Sequence, residues 1–493
     1  MAELKAYAYQ SAQDGTAIDE VERGLWGQIL ALGHSVLGLY LSLQGTGDVG
    51  ESLKLETGET VRRLPELQGR AYQSVFGCFE LERAVYGTRA GQKIAFVPLD
   101  SRLQLPEGKF SYLLQDWDQS LAVETPYAQV TATLERILGF SQSSDSLERM
   151  NRQMSQSVSA FESSRPAPPV ANAEQLIVVS ADGKGVPIRH AADSPTIGGH
   201  RAKRGPKPNR KRMATVGAVY TVEPRVRTPE MVLDSLFRAP AERPPAEPAT
   251  NRPQAKRLTA QLNLTAADAA PQTPRATAQV FAWLAKDVQQ RQPREPVPLV
   301  VLMDGQPSLW EAASSEFPTA AAPRVEILDL LHATARLWQV ARFSKFPTFE
   351  EAAEVVKKYL WLVLNGQVKD LLTTWRVLAD AGPFKAKQNK KLLKICQYFE
   401  NNLQRMRYDQ YLTAGYPIAS GVIEGACRHF VKARMERAGM QWTLLGAQAM
   451  LDLRSVALND DWDDFNNFRI QRENQRLHPH RNLIGTVDWP ISA

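Results

Sequence analysis

The stretch VPLVVLMDGQP, residues 297–307, decides the fold class. Residues 297–303 run apolar without alternation and are closed off by Asp304-Gly305. Such a run leaves no face for water, so it predicts a strand buried on both sides, as in parallel or mixed sheets between helical layers. Asp304 then stands at the carboxyl end of that strand, beside the crevice where ligands of these sheets collect. The segment IVVSADGKGVP, residues 177–187, has the same form and ends its apolar part at Asp182. RVEILDL, residues 324–330, supplies a further strand.

Asp-Gly is also the commonest two-residue hairpin turn. On that reading residues 175–181 and 185–189 form a hairpin about Asp182-Gly183, and residues 213–222 add a third strand. Asp304 is harder to treat as a turn residue, because SLWEAASS from Ser308 reads as a helix start. A third acid, Glu424, lies near the start of a helix in ASGVIEGACRHFVKARMER, residues 419–437, with Ser420 as its N-cap. Arg428 and Lys432 follow Glu424 at four-residue spacing, so one face carries a carboxylate and two cations. A salt-bridged solvent face explains that row equally well. Taken together, three carboxylates in these settings suit a pair of Mg²⁺ ions clamping a phosphodiester.

The rest of the chain frames these acids. Its 493 residues suggest about three domains. A composition of 43% hydrophobic and 23% charged residues excludes wholesale disorder and fibrous repeats. Residues 19–43 read as a long helix with a wide buried face (Leu25, Ile29, Leu32, Val36, Leu39, Leu43), and residues 72–110 as short strands. Helical patterns at 127–140 and 145–161 are joined by Ser-Gln-Ser-Ser, with Asp145 as N-cap and Glu148 its partner. They form a helix-turn-helix or an ordinary helical hairpin. Residues 163–174 (SSRPAPPVANAE) read as a linker. Residues 225–296 are Pro-rich with a helix at 276–290, residues 332–407 are helical with breaks near Pro347, Gly366 and Gly382, and the polar tail from Asp460 reads as peripheral.

A net charge of +6 and a pI of about 9.1 permit a polyanionic partner without demanding one. The charge is concentrated at residues 201–212 (RAKRGPKPNRKR), where Arg201, Lys203, Arg204, Lys207, Arg210, Lys211 and Arg212 occur without an acid. Such a run suits backbone phosphates, although a solvated loop has the same composition. Cys78, Cys396 and Cys427 lie far apart, so no disulfide framework is indicated. No signal peptide is apparent, and the most apolar stretch, residues 24–43, is interrupted by Gln28 and His34. A cytoplasmic protein without a membrane partner is expected.

The succession of strand-Asp182-Gly, strand-Asp304-Gly, strand-Asp329-x-x-His332, a helical stretch and SGVIEGACRHFVKARMERAGMQW resembles the DDE transposases of bacterial insertion sequences. It is most similar to the Kra-type family, with Mutator-like enzymes as wider relatives. The resemblance spans residues 175–481, and more loosely 72–103. It implies a ribonuclease-H-like α/β core, a mixed five-stranded sheet flanked by helices and interrupted by an all-α insertion, behind a mainly helical amino-terminal region. The implied boundaries are 1–162 for DNA binding, 163–174 for the linker, 175–331 for the first part of the core, 332–415 for the insertion, 416–459 for the final core helix and 460–493 for the tail.

By the same resemblance Asp182, Asp304 and Glu424 are the metal ligands for two Mg²⁺ ions, with Mn²⁺ substituting, and Asp329 with His332 is an accessory pair. Arg428, Lys432 and the basic run would contact DNA. The expected partners are double-stranded DNA, as element terminal repeats and target, and further copies of the chain in a dimer or higher multimer. Cleavage and strand transfer would take place on the bacterial nucleoid. Some relatives carry cysteine pairs near the segment equivalent to ERAVYGTRAG, where this chain has Cys78 alone, so no zinc is expected. The alternatives are an inactive DNA-binding derivative and a resolvase or nuclease on the same core.

Overall fold

The computed structural model describes residues 2–88, 94–189, 211–238, 252–264, 274–318, 324–343, 348–382, 384–437, 439–486 and 489. The chain divides into two compact units, one formed by Met1–Glu162 with Asp461–Ala493 and the other by Ser163–Asp460.

The first unit opens with α1 (Ala2–Gln13) and the 26-residue α2 (Ile18–Leu43). By length and composition α2 is apolar enough to cross a membrane. Its expected wide buried face is not there: Ile29, Leu32, Val36 and Leu39 are exposed, and Leu41 is its buried residue. Helical periodicity identifies an apolar face but not whether the same chain covers it. Five short strands follow, β1 (Ser52–Lys54), β2 (Thr60–Arg63), β3 (Gln68–Ser74), β4 (Gly77–Arg83) and β5 (Tyr86–Gly87). They make a β1-β2-β5 sheet and a β3-β4 hairpin.

The apolar segment ending at Asp100 becomes α3 (Pro98–Leu103) rather than a strand, because Pro98 starts a helix where no N–H is needed. Buried Asp100 receives Arg70 (2.7 Å) and Arg83 (2.6 Å), tying the hairpin to α3. Next come α4 (Tyr112–Ala122), α5 (Tyr127–Leu138), α6 (Ser144–Ser155) and α7 (Val158–Ser164). The cap of α6 is Ser143, whose hydroxyl accepts from the Ser146 N–H at 3.2 Å, and Asp145 sits in the first turn instead. The extended backbone a cap requires falls two residues earlier than the acid suggested.

Asp118 on α4 is fully buried and faces the Gln142 amide nitrogen at 2.9 and 3.2 Å. Burial pushes its carboxyl up to about 7, while the Gln142 hydrogen bond pulls the other way. A folded value above the unfolded one gives stability that is complete below the ordinary carboxylate pKa and lost as pH rises through the folded value. Each tenfold change in proton affinity is worth roughly 1.4 kcal/mol, so the first unit should lose on the order of 3 kcal/mol between about pH 4 and pH 8. Thermal melts across that range should show the loss, and Asp118→Asn should remove most of it. An unchanged slope in the variant would show that another group is responsible.

The second unit is built on β6 (Leu176–Pro187), β7 (Lys211–Val222), β8 (Gln254–Leu262), β9 (Leu299–Met303) and β10 (Arg324–Leu328). These form one mixed sheet in the order β10-β9-β6-β7-β8, with β9 and β10 parallel to β6, and β7 antiparallel to β6 and β8. The mixed five-stranded sheet flanked by helices is therefore present. The hairpin about Asp182-Gly183 is not. β6 runs straight through that dipeptide and pairs residue for residue with β7, from Leu176↔Val222 to Pro187↔Lys211. Twelve paired residues outweigh the local turn preference of two, and the connection between the strands falls at residues 190–210, outside those described. The Pro-rich region also contains α8 (Pro229–Phe237) and the whole of β8, where buried Leu258, Ala260 and Leu262 keep the two-residue period.

On one face of the sheet, Ile177, Val179, Val301 and Met303 pack with α9 (Ala276–Arg291) and α10 (Pro307–Glu316). A Cβ at Gly217 would stand 2.6 Å from Val280 Cγ1, so glycine lets α9 sit close on β7. The other face presents Val178, Val300, Leu302 and Ile327 to a cluster that runs through α11 (Leu330–Ala341), α12 (Phe349–Leu364), α13 (Val368–Asp380), α14 (Ala386–Asn401) and α15 (Tyr408–Thr413). These helices and the sheet thus share one apolar cluster. The chain ends the unit with α16 (Gly421–Ala426), a π-helical turn at Cys427–Lys432, α17 (Ala433–Met435) and α18 (Leu444–Leu458).

The polar tail folds as α19 (Trp462–Leu477) and belongs to the first unit. Phe465 is fully buried, with its ring 5.5 Å from that of Phe161, and the Trp462 indole N–H donates to Asp116 at 2.7 Å. Phe468 also packs on Phe161 at 5.7 Å, and buried Asn466 and Arg469 donate to Asp116 (2.7 Å) and Gln115 (2.9 Å), so apolar and polar anchors together dock a helix of polar composition.

Candidate active site

The parallel strands set the level of the acids. β6 and β9 pair as Ile177↔Leu299, Val178↔Val300 and Val179↔Val301, a stagger of 122 residues, and 122 residues also separate Asp182 from Asp304. β9 and β10 pair with a stagger of 25 (Met303↔Leu328), the interval from Asp304 to Asp329. All three aspartates therefore fall on one row across adjacent strands. Alternation along the strands directs them to the face carrying Val178, Val300 and Leu302.

Asp182 is half-buried, with Oδ1 accepting from the Gly183 N–H at 2.6 Å and Oδ2 facing Cys427 Sγ at 3.6 Å. Asp304 Oδ1 accepts from the Gln306 N–H at 2.9 Å, which folds the chain into α10, and the Trp310 indole N–H holds the Asp304 carbonyl at 2.8 Å. Burial holds the Asp304 carboxyl above its usual range, and the charges of Asp182 and Asp329 add to the shift. Gly305 serves packing rather than a turn: a Cβ there would lie 2.2 Å from the Tyr398 ring. Tyr398 is itself pushed up to about 12, first by burial and then by Asp304.

Asp329 is buried and caps α11, accepting from the Leu331 N–H at 2.8 Å. The same carboxylate holds His332 Nδ1 at 3.1 Å and receives the Ser420 hydroxyl. Hydrogen bonding to Asp329 raises the His332 pKa, burial opposes it, and Asp329, Asp304 and Asp182 add charge in the same upward direction. Ser420 occupies the N-cap position of α16 without capping it, because its hydroxyl is turned to Asp329.

Glu424 is exposed on α16, which packs over β6 and β7. It lies one turn before Cys427, whose thiol is raised by burial first, then by Asp182, with Glu424 a smaller contributor. The π turn that follows is held by buried Arg454, which donates to the carbonyls of Phe430 (2.7 Å) and His429 (2.6 Å). Widened turns of this kind recur at functional sites. This one breaks the strict four-residue row from Glu424 through Arg428 to Lys432, both of which are exposed. Beyond it the Trp442 N–H donates to the Pro187 carbonyl at 3.1 Å, fastening the segment to the end of β6.

Of the basic run, Arg201, Lys203, Arg204, Lys207 and Arg210 lie outside the described residues, Lys211 starts β7 and is paired with Glu436, and Arg212 follows it in the strand. Three neighbours of the acids escaped the sequence reading: Cys427, Tyr398 and Lys184. Lys184 alone had a signal, lying two residues from Asp182 and so on the same side of a strand. Cys427 and Tyr398 arrive through packing over long chain separations.

The donors are of the right kind for a hard divalent cation, carboxylate oxygens with two of them on a shared level. Among the described residues, however, no three His, Cys, Asp or Glu side chains already converge closely enough to hold a metal ion. No family model matches the chain, and no curated protein does. Among solved structures, the Drosophila P element transposase strand transfer complex overlays with a TM-score of 0.23 and 8% sequence identity, over 77% of this chain and 88% of that one.

Proposed function

We propose that this chain is a DNA transposase with a ribonuclease-H-like core that binds the ends of its element, cuts them and joins the freed 3′ ends to target DNA. The observation that carries the reading is the shared level of Asp182 and Asp304 on adjacent parallel strands, with the Glu424 helix packed over the same sheet. Asp182 and Asp304 would hold Mg²⁺ or Mn²⁺, and Glu424 would close in when cation and DNA neutralise the charge of the acids. The chemistry such a pair of ions supplies is activation of a water or 3′ hydroxyl and stabilisation of the departing oxygen. In hydrolysis a water oxygen bonds to phosphorus as the bond to the 3′ oxygen breaks, leaving a 3′ hydroxyl and a 5′ phosphate. In joining, that 3′ hydroxyl attacks a target phosphate and displaces its leaving oxygen, so one phosphodiester bond forms as another breaks. Neither step needs a protein nucleophile.

The chain's own groups have separate duties in this scheme. Lys184, beside Asp182, is suited to a phosphate of the cut strand. Arg428 and Lys432 would follow the backbone, as would the basic run, giving affinity that falls with salt. Asp329 orients His332 at the edge of the site. The first unit, with paired helices α5 and α6, would read the element ends. The reactions would run on the bacterial nucleoid, in a multimer that pairs two ends.

The experiment is a Mg²⁺-dependent strand-transfer assay on a mini-element carrying the inverted repeats that flank the gene. Joined product supports the reading. The second reading, an inactive DNA-binding derivative, is favoured by the lack of a converged trio among the described residues. Binding of the ends with neither cleavage nor joining under Mg²⁺ or Mn²⁺ would establish it instead. Preference for four-way junctions or RNA hybrids would indicate a resolvase or ribonuclease.

A further inference from the structure

We propose that two copies of this chain associate through α2 as a parallel, in-register, two-stranded coiled coil. The intervals between Leu25, Ile29, Leu32, Val36, Leu39 and Leu43 alternate between four and three residues. That is a heptad seam, with Leu25, Leu32 and Leu39 at d and Ile29, Val36 and Leu43 at a. β-Branched residues at a with leucine at d are the combination that selects two parallel strands. From Leu25 onward the neighbouring e and g positions, Trp26, Gln28, Gly33, Ser35, Tyr40 and Ser42, carry no charge, and the acids Asp19 and Glu22 stand in the first turns, before the apolar seam begins.

The seam is open, with Ile29 46%, Leu32 38%, Val36 58% and Leu39 60% exposed. The opposite side of the helix is already occupied within the first unit. Leu30 packs against the α4–α6 cluster, Leu37 and Leu41 pack with Leu81 and Leu105, and the His34 ring stacks on Phe79 at 4.4 Å. Tyr7 of α1 donates to the Glu20 carbonyl at 3.3 Å on that side as well. Among the described residues one stripe is left uncovered, and its spacing fits the holes of an identical helix. A bilayer would require an apolar surface around the full circumference, whereas on the far side of the helix Leu30, Leu37 and Leu41 pack on protein. The association stands independently of the catalytic reading.

Sedimentation equilibrium of the full-length chain tests it. The native protein should be dimeric at micromolar concentration, and Leu32→Glu with Val36→Glu should make it monomeric. A second arm works in the intact fold. In a Cys78→Ser background, Val36→Cys at an a position should form an interchain disulfide on mild oxidation, since a positions face each other in a parallel pair, while Arg23→Cys on the outer side should not. A monomeric native chain, a dimer that survives the double glutamate variant, or equal cross-linking from both cysteine variants would overturn the proposal. So would co-sedimentation of the native chain with phosphatidylcholine or phosphatidylglycerol vesicles, which would assign the stripe to lipid.

Discussion

Asp304→Asn is expected to abolish Mg²⁺-dependent cutting of element ends while leaving end binding intact, and Asp182→Asn should do the same. Each substitution keeps the side-chain shape and the hydrogen-bond acceptor toward the Gln306 or Gly183 N–H, so the local fold has no reason to change. What is lost is the negative charge. Cation ligation contributes several kcal/mol to stabilising a phosphodiester transition state, which corresponds to about a 10³-fold loss of rate or more. Gel-shift and cleavage assays on one labelled end read the two properties separately. Because Asp304 is held above the usual carboxylate range in the free chain, the cation must also compete with a proton there. Metal dependence should therefore shift to higher Mg²⁺ as pH falls. Cutting by the asparagine variants at native rate would remove these acids from the mechanism.

The second large effect concerns stability. Asp329→Ala should destabilise the second unit by roughly 3 kcal/mol, because a buried carboxylate with three partners is removed at once. The Leu331 N–H loses its cap, the buried Ser420 hydroxyl loses its acceptor, and His332 loses its hydrogen bond. Asp329→Asn retains an acceptor for the cap but not the charge, so it should cost less while lowering the His332 pKa. Denaturant unfolding measures the first effect and NMR titration of His332 the second. A midpoint within experimental error of the native one for Asp329→Ala would mean that the network is dispensable.

How far the site could be read in advance depended on the range of the interactions that build it. Residues 299–303 were legible as a strand because a continuous apolar run leaves little alternative, residues 324–328 because Val325 and Ile327 alternate with Arg324 and Glu326, and α12 to α14 because their apolar period is regular and broken at Gly366 and Gly382. Asp182-Gly183 misled because turn chemistry is local, whereas the strand it lies in is fixed by a partner about 30 residues away, and loop-closure cost rises slowly with length. β8 was hidden by proline-rich flanks although its own alternation is regular. Cys427 meets Asp182 across 245 residues of chain, and Ser420 meets Asp329 across 91, distances over which no periodicity gives warning. The common level of Asp182 and Asp304 needed the strand register, which the sequence alone left open.

The most direct measurement of the central claim, that Asp182, Asp304 and Glu424 are one cation site, is a calorimetric titration of Mn²⁺ into the full-length chain near neutral pH. Saturable binding is expected, lost in Asp182→Asn and in Asp304→Asn and weakened in Glu424→Gln. Binding of equal strength in the native chain and all three variants, or no binding by the native chain with or without element-end DNA, would contradict it.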